Sequence, residues 1–172
     1  MDFLTLARER YSVRKFTEQP VKQEDLDKIL AAGHLAPTAC NFQPQRVLVL
    51  RSGEALEKLK GCTDCHFNAP TALIVCADLE RCWKRKFDGK LSSDVDASIV
   101  TTLMMMEAQE LGVGTTWVMY FDPQKVRRTF GLPDHVDPVA ILVMGYPAPD
   151  AVPAPLHSQF REKGDIEVYD SF

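Results

Sequence analysis

The chain has 172 residues, enough for one domain with a sizeable core and too few for separate cofactor and substrate domains. Its 20 Lys and Arg against 24 Asp and Glu leave a net charge of −4, which excludes a nucleic-acid glove or an anionic membrane surface as the main partner. A hydrophobic share of 45% and a charged share of 26% are ordinary globular usage and set aside disorder, collagen and coiled coil. In chain order, Asp2 is placed to cap a helix carrying Phe3, Leu6, Ala7 and Arg10. Leu26, Ile29, Leu30 and Gly33 repeat the helical spacing before Pro37 ends a second helix. Val47–Leu50 reads as a buried strand, Ser52 caps a short helix to Lys60, and Thr71–Ala77 is a second apolar strand; both strands are expected to be central. The longest helix runs from Ser93 to Leu111, with Val95, Ile99, Leu103, Met106 and Leu111 as its apolar face and Gly112 just past its end. A strand over Thr115–Phe121 follows, then Asp122-Pro123 opens a helix that Gly131 closes, and Val139–Met144 is a further strand. From about residue 148 the chain carries Pro149, Pro153 and Pro155 and then a polar tail with no core of its own, for which a partner subunit is the natural support.

The opening lacks the basic, apolar and small-residue order of a secretory signal, and no apolar run approaches the roughly 18 to 20 residues of a bilayer span, so a cytoplasmic protein is expected. Five cysteines, an odd number, fit mostly free thiols in a reducing compartment, with the Cys62 and Cys65 pair partly exposed.

Arg8-Glu9-Arg10-Tyr11-Ser12-Val13-Arg14-Lys15-Phe16 sets four cations and a serine hydroxyl at the end of the first helix. Guanidinium forks bind phosphate bidentately, so Arg10, Ser12 and Arg14 in an extended turn can converge on a phosphate or a flavin edge. Cations at a helix C-terminus also offset the macrodipole, and that simpler role stays open. Leu35 to Pro44 joins a helix to a strand through two prolines and small polar residues. It can present Thr38, Asn41 and Gln43 to the edge of a flat heteroaromatic ligand, or be ordinary turn chemistry.

Together these segments resemble the FMN-dependent nitroreductase family, whose opening reads Arg-x-Ser-x-Arg-x-Phe and is followed by Ala-Pro-Ser/Thr-x-x-Asn-x-Gln-Pro. Asp96-Ala97, the run Glu107 to Val118 with its Gly-x-Gly-Thr-x-Trp turn, and Gly145-Tyr146-Pro147 are similar to later family motifs, in the same order over residues 3–169. The resemblance implies an α+β fold: a three-layer α-β-α sandwich with a central mixed, mainly antiparallel sheet, forming one domain over residues 1–172. It puts Arg10, Tyr11, Ser12 and Arg14 at the FMN phosphate, ribityl chain and pyrimidine edge, and the strand Trp117, Val118, Met119 and Tyr120 beside the isoalloxazine ring. Pro37, Thr38 and Ala39, with Asn41 and Gln43, reach the flavin held mainly by the other subunit, so a homodimer with FMN at its interface is implied, with the tail from about 148 packed on the partner.

The chain departs from the family at Met119-Tyr120, where relatives often carry Gly or Glu-Gly facing flavin N5; Tyr120 and Phe121 would narrow the substrate face. It departs again at the tail, where relatives show Arg-Lys-Pro-Leu and this chain offers Arg161 as the phosphate ligand. Cys62-Thr63-Asp64-Cys65-His66 matches the haem attachment spacing, but covalent haem belongs to exported proteins and no signal precedes it. Structural zinc would need a second Cys/His pair, so no metal is expected, although Cys40, Cys82 and His66 remain open as distant ligands. Gly112-Val113-Gly114 follows a helix and enters a strand, the reverse of a dinucleotide fingerprint, and Met104-Met105-Met106 reads as deformable core.

The implied activity is transfer of electrons from NADH or NADPH through FMN to a nitroaromatic, quinone or similar flat acceptor in a ping-pong cycle. The alternatives are reductive dehalogenation or flavin fragmentation within the same superfamily, or a non-catalytic flavin-binding or redox-sensing protein.

Overall fold

Among the described residues, three of the five α-helices start where a side chain replaces a missing backbone partner. The computed structural model describes residues 2–172. In α1 (Phe3–Glu9) the Asp2 carboxylate accepts the Thr5 N–H at 3.1 Å, and in α3 (Gly53–Lys60) Ser52 Oγ accepts the Ala55 N–H at 3.1 Å. In α5 (Pro123–Phe130) Asp122 accepts the Lys125 N–H at 3.0 Å, proline occupies the first turn, and Gly131 ends the helix at φ +66. Two longer helices, α2 (Gln23–His34) and α4 (Ser93–Glu110), complete the set, and Gly112 follows α4 at φ +72.

Four strands, β1 (Gln45–Leu50), β2 (Thr71–Asp78), β3 (Gly114–Val118) and β4 (Val136–Gly145), form one sheet in the order β1-β2-β4-β3. Every pairing among them is antiparallel, and the mixed character is confined to one parallel bridge between Ser12 and Thr115. β2 is buried at all eight positions because both faces are covered. On one face Leu73, Val75, Leu142 and Met144 pack with Ile29 of α2 and Val100 and Met104 of α4. On the other, Ile74, Cys76, Ile141 and Val143 pack with Leu59 of α3 and Val126 of α5. This is the expected three-layer α-β-α sandwich. A Cβ at Gly33 would lie 2.7 Å from Met104 Cγ, so glycine lets α2 and α4 cross closely. Pro138 sits inside β4 beside the register shift at Val75/Cys76, the place where a strand tolerates a residue without an N–H.

Three expectations change. β1 is an edge strand paired with β2 alone, and only Leu50 in it is fully buried; its apolar run reflects packing on both faces of the sheet, Val47 and Val49 on one and Leu48 on the other, rather than strands on both sides. The strand expected over Thr115–Phe121 stops at Val118, because the backbone turns there, Phe121 N–H donating to Met119 O at 3.1 Å. The face of α4 turned to the sheet is Ala97, Val100, Thr101, Met104 and Ala108; the expected face, Ile99, Leu103, Met106 and Leu111, is only half-buried and Val95 is exposed. Small residues at 97, 101 and 108 allow the closer approach to the sheet and so win the inner face.

Candidate functional site

After α1 the chain runs extended beside the open edge of β3. Ser12 bridges Thr115, Val13 N–H donates to Thr115 O at 2.9 Å, and the Thr116 hydroxyl donates to Val13 O. Val13 is buried and fixes the register, so Ser12 and Arg14 on either side of it point the other way. The fit demands glycine at 114, where a Cβ would meet Val13 Cγ2 at 2.6 Å. Arg14 donates to Ser12 O at 3.2 Å, and the parallel register carries it toward Trp117. Arg46, Arg81, Arg85, Arg127 and Arg161 each reach an aspartate. Arg8, Arg10 and Arg14 meet no carboxylate among the described residues, which leaves a local excess of positive charge in a chain of net charge −4.

The loop from Pro37 to Gln43 is held by a residue whose role the sequence did not disclose. Asp96, 1% exposed in the first turn of α4, accepts the Ala39 N–H at 2.9 Å and the Ser92 hydroxyl at 2.6 Å. Thr38 Oγ1 accepts the Gln43 N–H at 3.0 Å and Gln43 Nε2 donates to Asn41 Oδ1 at 3.1 Å. Cys40, Asn41 and Gln43 stand at φ 51, 55 and 51, a left-handed cluster without glycine that these bonds hold in place. Thr38 and Ala39 are half-buried, while Pro37, Asn41 and Gln43 face outward. An acid in a helix's first turn was a visible signal, since it offsets the positive helix end, but its bond to a loop 57 residues away was not.

At the far end of β3, Trp117 is half-buried and Val118 buried, whereas Met119 and Tyr120 are 65% and 74% exposed. The Thr63 hydroxyl donates to Tyr120 O and Asp122 N–H donates to Cys62 O at 3.1 Å, so the Cys62–Cys65 segment props this turn. All five cysteines are free thiols; Cys62 is buried rather than partly exposed because it packs over α5, its Sγ 3.7 Å from Thr129 Oγ1. Burial, with the charge of Asp137, pushes the Cys76 thiol up to about 12. Cys62, Cys65 and His66 form no three-ligand group; among the described residues the one such cluster is Asp78, Glu80 and His135. Asp78 there is already held by Arg46 at 3.3 Å and Arg81 at 3.5 Å.

Arg161 lies in the exposed tail and donates to Asp165 O at 3.2 Å. The tail is fastened at its start, where Ala148 N–H donates to Lys15 O at 3.0 Å, Lys15 pairs with Asp150 at 2.6 Å and Tyr11 OH donates to Ala151 O at 3.4 Å, and again at His157, whose ring meets that of Tyr11 edge-on with centroids 6.2 Å apart. The Lys15 ammonium holds the Asp150 carboxyl below its usual range. Within one chain the Arg10–Arg14 segment meets β3 just past the C-terminus of α4, whereas the Pro37–Gln43 loop is tied to its N-terminus. The 18 residues of α4 between them span about 27 Å, so one chain does not bring the two segments together.

A profile described as the nitroreductase family matches residues 7–67 and 57–146. The chain belongs to the nitroreductase family. It is similar to a crystallised nitroreductase family protein of Clostridium difficile 630, with a TM-score of 0.94, 39% identity and all of both chains covered. A Methanothermobacter thermautotrophicus relative, whose name includes NADH dehydrogenase/NAD(P)H nitroreductase, is 33% identical over 158 residues, 86% of this chain and 78% of that one. An FMN reductase (NAD(P)H) of Bacillus subtilis strain 168 is 32% identical over 155 residues, 80% of this chain and 62% of that one.

Proposed function

We propose that this nitroreductase-family chain is a homodimeric FMN oxidoreductase, one domain over residues 1–172, that passes electrons from NADH or NADPH to a nitroaromatic, quinone or similarly flat acceptor by a ping-pong hydride mechanism. The observation that carries this reading is the Arg10–Arg14 segment, fixed along β3 with both arginines free of carboxylates. That donor set fits FMN: two guanidiniums offer forks to a phosphate or a pyrimidine edge, and Ser12 Oγ offers a neutral donor to a ribityl hydroxyl. The names of the relatives from Methanothermobacter and Bacillus support the same cofactor and donor. When bound, FMN supplies the hydride chemistry, so the protein needs no nucleophile or acid-base triad.

The chain's residues then bind, orient and polarise. Arg14, or Arg10, would hold the pyrimidine edge of the bound cofactor, where a guanidinium would favour negative charge and so a higher reduction potential. Trp117, Val118, Met119 and Tyr120 line the ring, with Tyr120 and Phe121 narrowing the substrate face. A second copy supplies Pro37, Thr38, Ala39, Asn41 and Gln43. It also covers the outward apolar face of α4 and, through its body, the tail beyond residue 148, where Phe160 and Tyr169 stand exposed. Arg161 on that tail is the further phosphate ligand. Tyr11 stands with Arg10, Ser12 and Arg14 at the cofactor and also fastens the tail's start. Five free thiols suit a reducing compartment, and the cytoplasm is the proposed location; among the described residues no helix is long and apolar enough to cross a membrane.

The deciding measurement is the visible spectrum of the purified protein, with the cofactor released and chromatographed, before and after anaerobic NADH or NADPH. Released FMN and bleaching support an oxidoreductase and name the donor. FMN without bleaching replaces it with a binder, and no flavin after reconstitution removes the reading.

A further inference from the structure

Between β2 and α4 the chain makes an excursion that the flavin reading leaves unused. Lys84 bridges Leu91, Arg85 N–H donates to Lys90 O at 2.9 Å and Ser92 N–H donates to Trp83 O at 2.9 Å, while Gly89 closes the turn at φ +74. The result is a short hairpin with Phe87 wholly outside. Its charge is unlike that of the chain around it: residues 81–90 carry Arg81, Lys84, Arg85, Lys86 and Lys90 against Asp88 alone, within a protein of net charge −4. Arg85 is committed to Asp88, its Nε donating at 2.8 Å, and Arg81 reaches Asp78 at 3.5 Å. The ammonium groups of Lys84, Lys86 and Lys90 make no salt bridge among the described residues, although the Lys90 backbone N–H donates to Asp88 Oδ1 at 3.2 Å.

Between this hairpin and the first turns of α4 lies a cavity of about 350 Å³. Trp83, Leu91, Val95 and Ile99 give it apolar walls, Arg85 and Lys90 add positive charge to its lining, Asp96 adds a buried carboxylate already taken up by the Ala39 N–H and the Ser92 hydroxyl, and Ala39 closes one side. Ala39 is the residue whose N–H is bound by Asp96, so the cavity adjoins the loop that faces the cofactor in the reading above. Apolar walls of this size take a flat ring, and the Lys90 ammonium in the lining, which makes no salt bridge, favours a ring that carries negative charge. A small inorganic anion has no use for the walls, and a neutral ring has none for the lysines.

The geometry points to a substrate-recognition subsite in which the 81–92 hairpin takes the anionic arm of a flat aromatic substrate, the ring against Trp83 and Val95 and its phosphate or carboxylate on Lys90, with Lys84 nearby. What then happens to the ring rests on the oxidoreductase reading; the binding does not. The anion has two sources, the 2′-phosphate that distinguishes NADPH from NADH or an acidic group on the acceptor, and they can be separated.

The test is calorimetric titration of the protein as purified with two matched pairs, 4-nitrobenzoate against 4-nitrobenzamide and NADP⁺ against NAD⁺. Wild type is expected to bind the anionic member of at least one pair about tenfold more tightly, with a gap that narrows as salt rises. Lys90→Glu is expected to close that gap while leaving the neutral member's affinity within about twofold, and Lys90→Ala to narrow it part-way. Lys90 is exposed surface, and circular dichroism checks the fold of both variants. A gap in the first pair assigns the acceptor and one in the second assigns the donor. No gap in wild type, or one that survives Lys90→Glu, overturns the subsite. FMN content and bleaching of the same samples report on the oxidoreductase reading separately, so an FMN-free protein that keeps the Lys90-dependent gap sinks that reading alone.

Discussion

At the scale of single residues, function and packing meet at Val13. Its burial fixes Ser12 and Arg14 on the opposite side, so the spacing Arg-x-Ser-x-Arg is legible in sequence because an extended segment alternates its side chains. Arg14→Ala is expected to weaken FMN binding by about tenfold or more, and Ser12→Ala by less, because a charge-assisted bond outweighs a neutral one. Equilibrium dialysis decides this, and unchanged affinity in both variants removes the phosphate-site assignment. Gly114→Ala, which touches no ligand, should lower FMN occupancy too, since its methyl group displaces Val13. Cys76 gives a pH signature. Its thiol titrates at about 12 in the folded chain against 9.0 for an unperturbed thiol, so its contribution to stability is whole below about pH 9 and is lost as pH rises toward 12. Denaturant titrations at pH 8 and pH 10.5 on wild type and Cys76→Ala should show a smaller alkaline loss in the variant. Asp96 was not legible at this scale: its partner Ala39 lies 57 residues away, and only the fold brings that N–H to the carboxylate.

Among the elements, α4 separates what the chain's periodicity can say from what it cannot. Length and termination were readable, since Gly112 and the run of apolar residues sufficed. The inner face was not, because the helix is apolar on more than one side and spacing alone gives no preference between the stripes. Tight packing chose the stripe with small residues, and left Leu103 and Met106 on the outside with Phe3 and Leu35 around them. The two faces therefore answer differently to charge. Val100→Asp places a carboxylate in the wholly buried layer and is expected to cost several kcal/mol, abolishing the cooperative melt. Leu103→Glu with Met106→Glu should keep the helical circular dichroism while shifting sedimentation from dimer to monomer. A double variant that remains dimeric would place the subunit contact elsewhere.

For the molecule as a whole, the order of helices and strands followed from caps, prolines and glycines, but those signals are local and leave strand direction open. Periodicity was equally compatible with a parallel sheet; the mainly antiparallel character came from family resemblance, and the order β1-β2-β4-β3 only from the folded chain. The C-terminal tail could be recognised as lacking a core, yet where its exposed aromatic residues go is not written in one copy of the chain. The separation of Arg14 and the Asp96-held loop at opposite ends of α4 also has a genetic consequence. If each pocket draws one segment from each copy, the two lesions Arg14→Ala and Asp96→Ala fall in the same pocket of a mixed dimer and leave the other pocket wholly wild type. Co-refolding equal amounts of the two defective proteins should then restore about a quarter of the wild-type flavin sites, as random pairing predicts. Two variants that fail alone would complement one another, whereas lesions in a pocket built from a single copy would recover nothing on mixing.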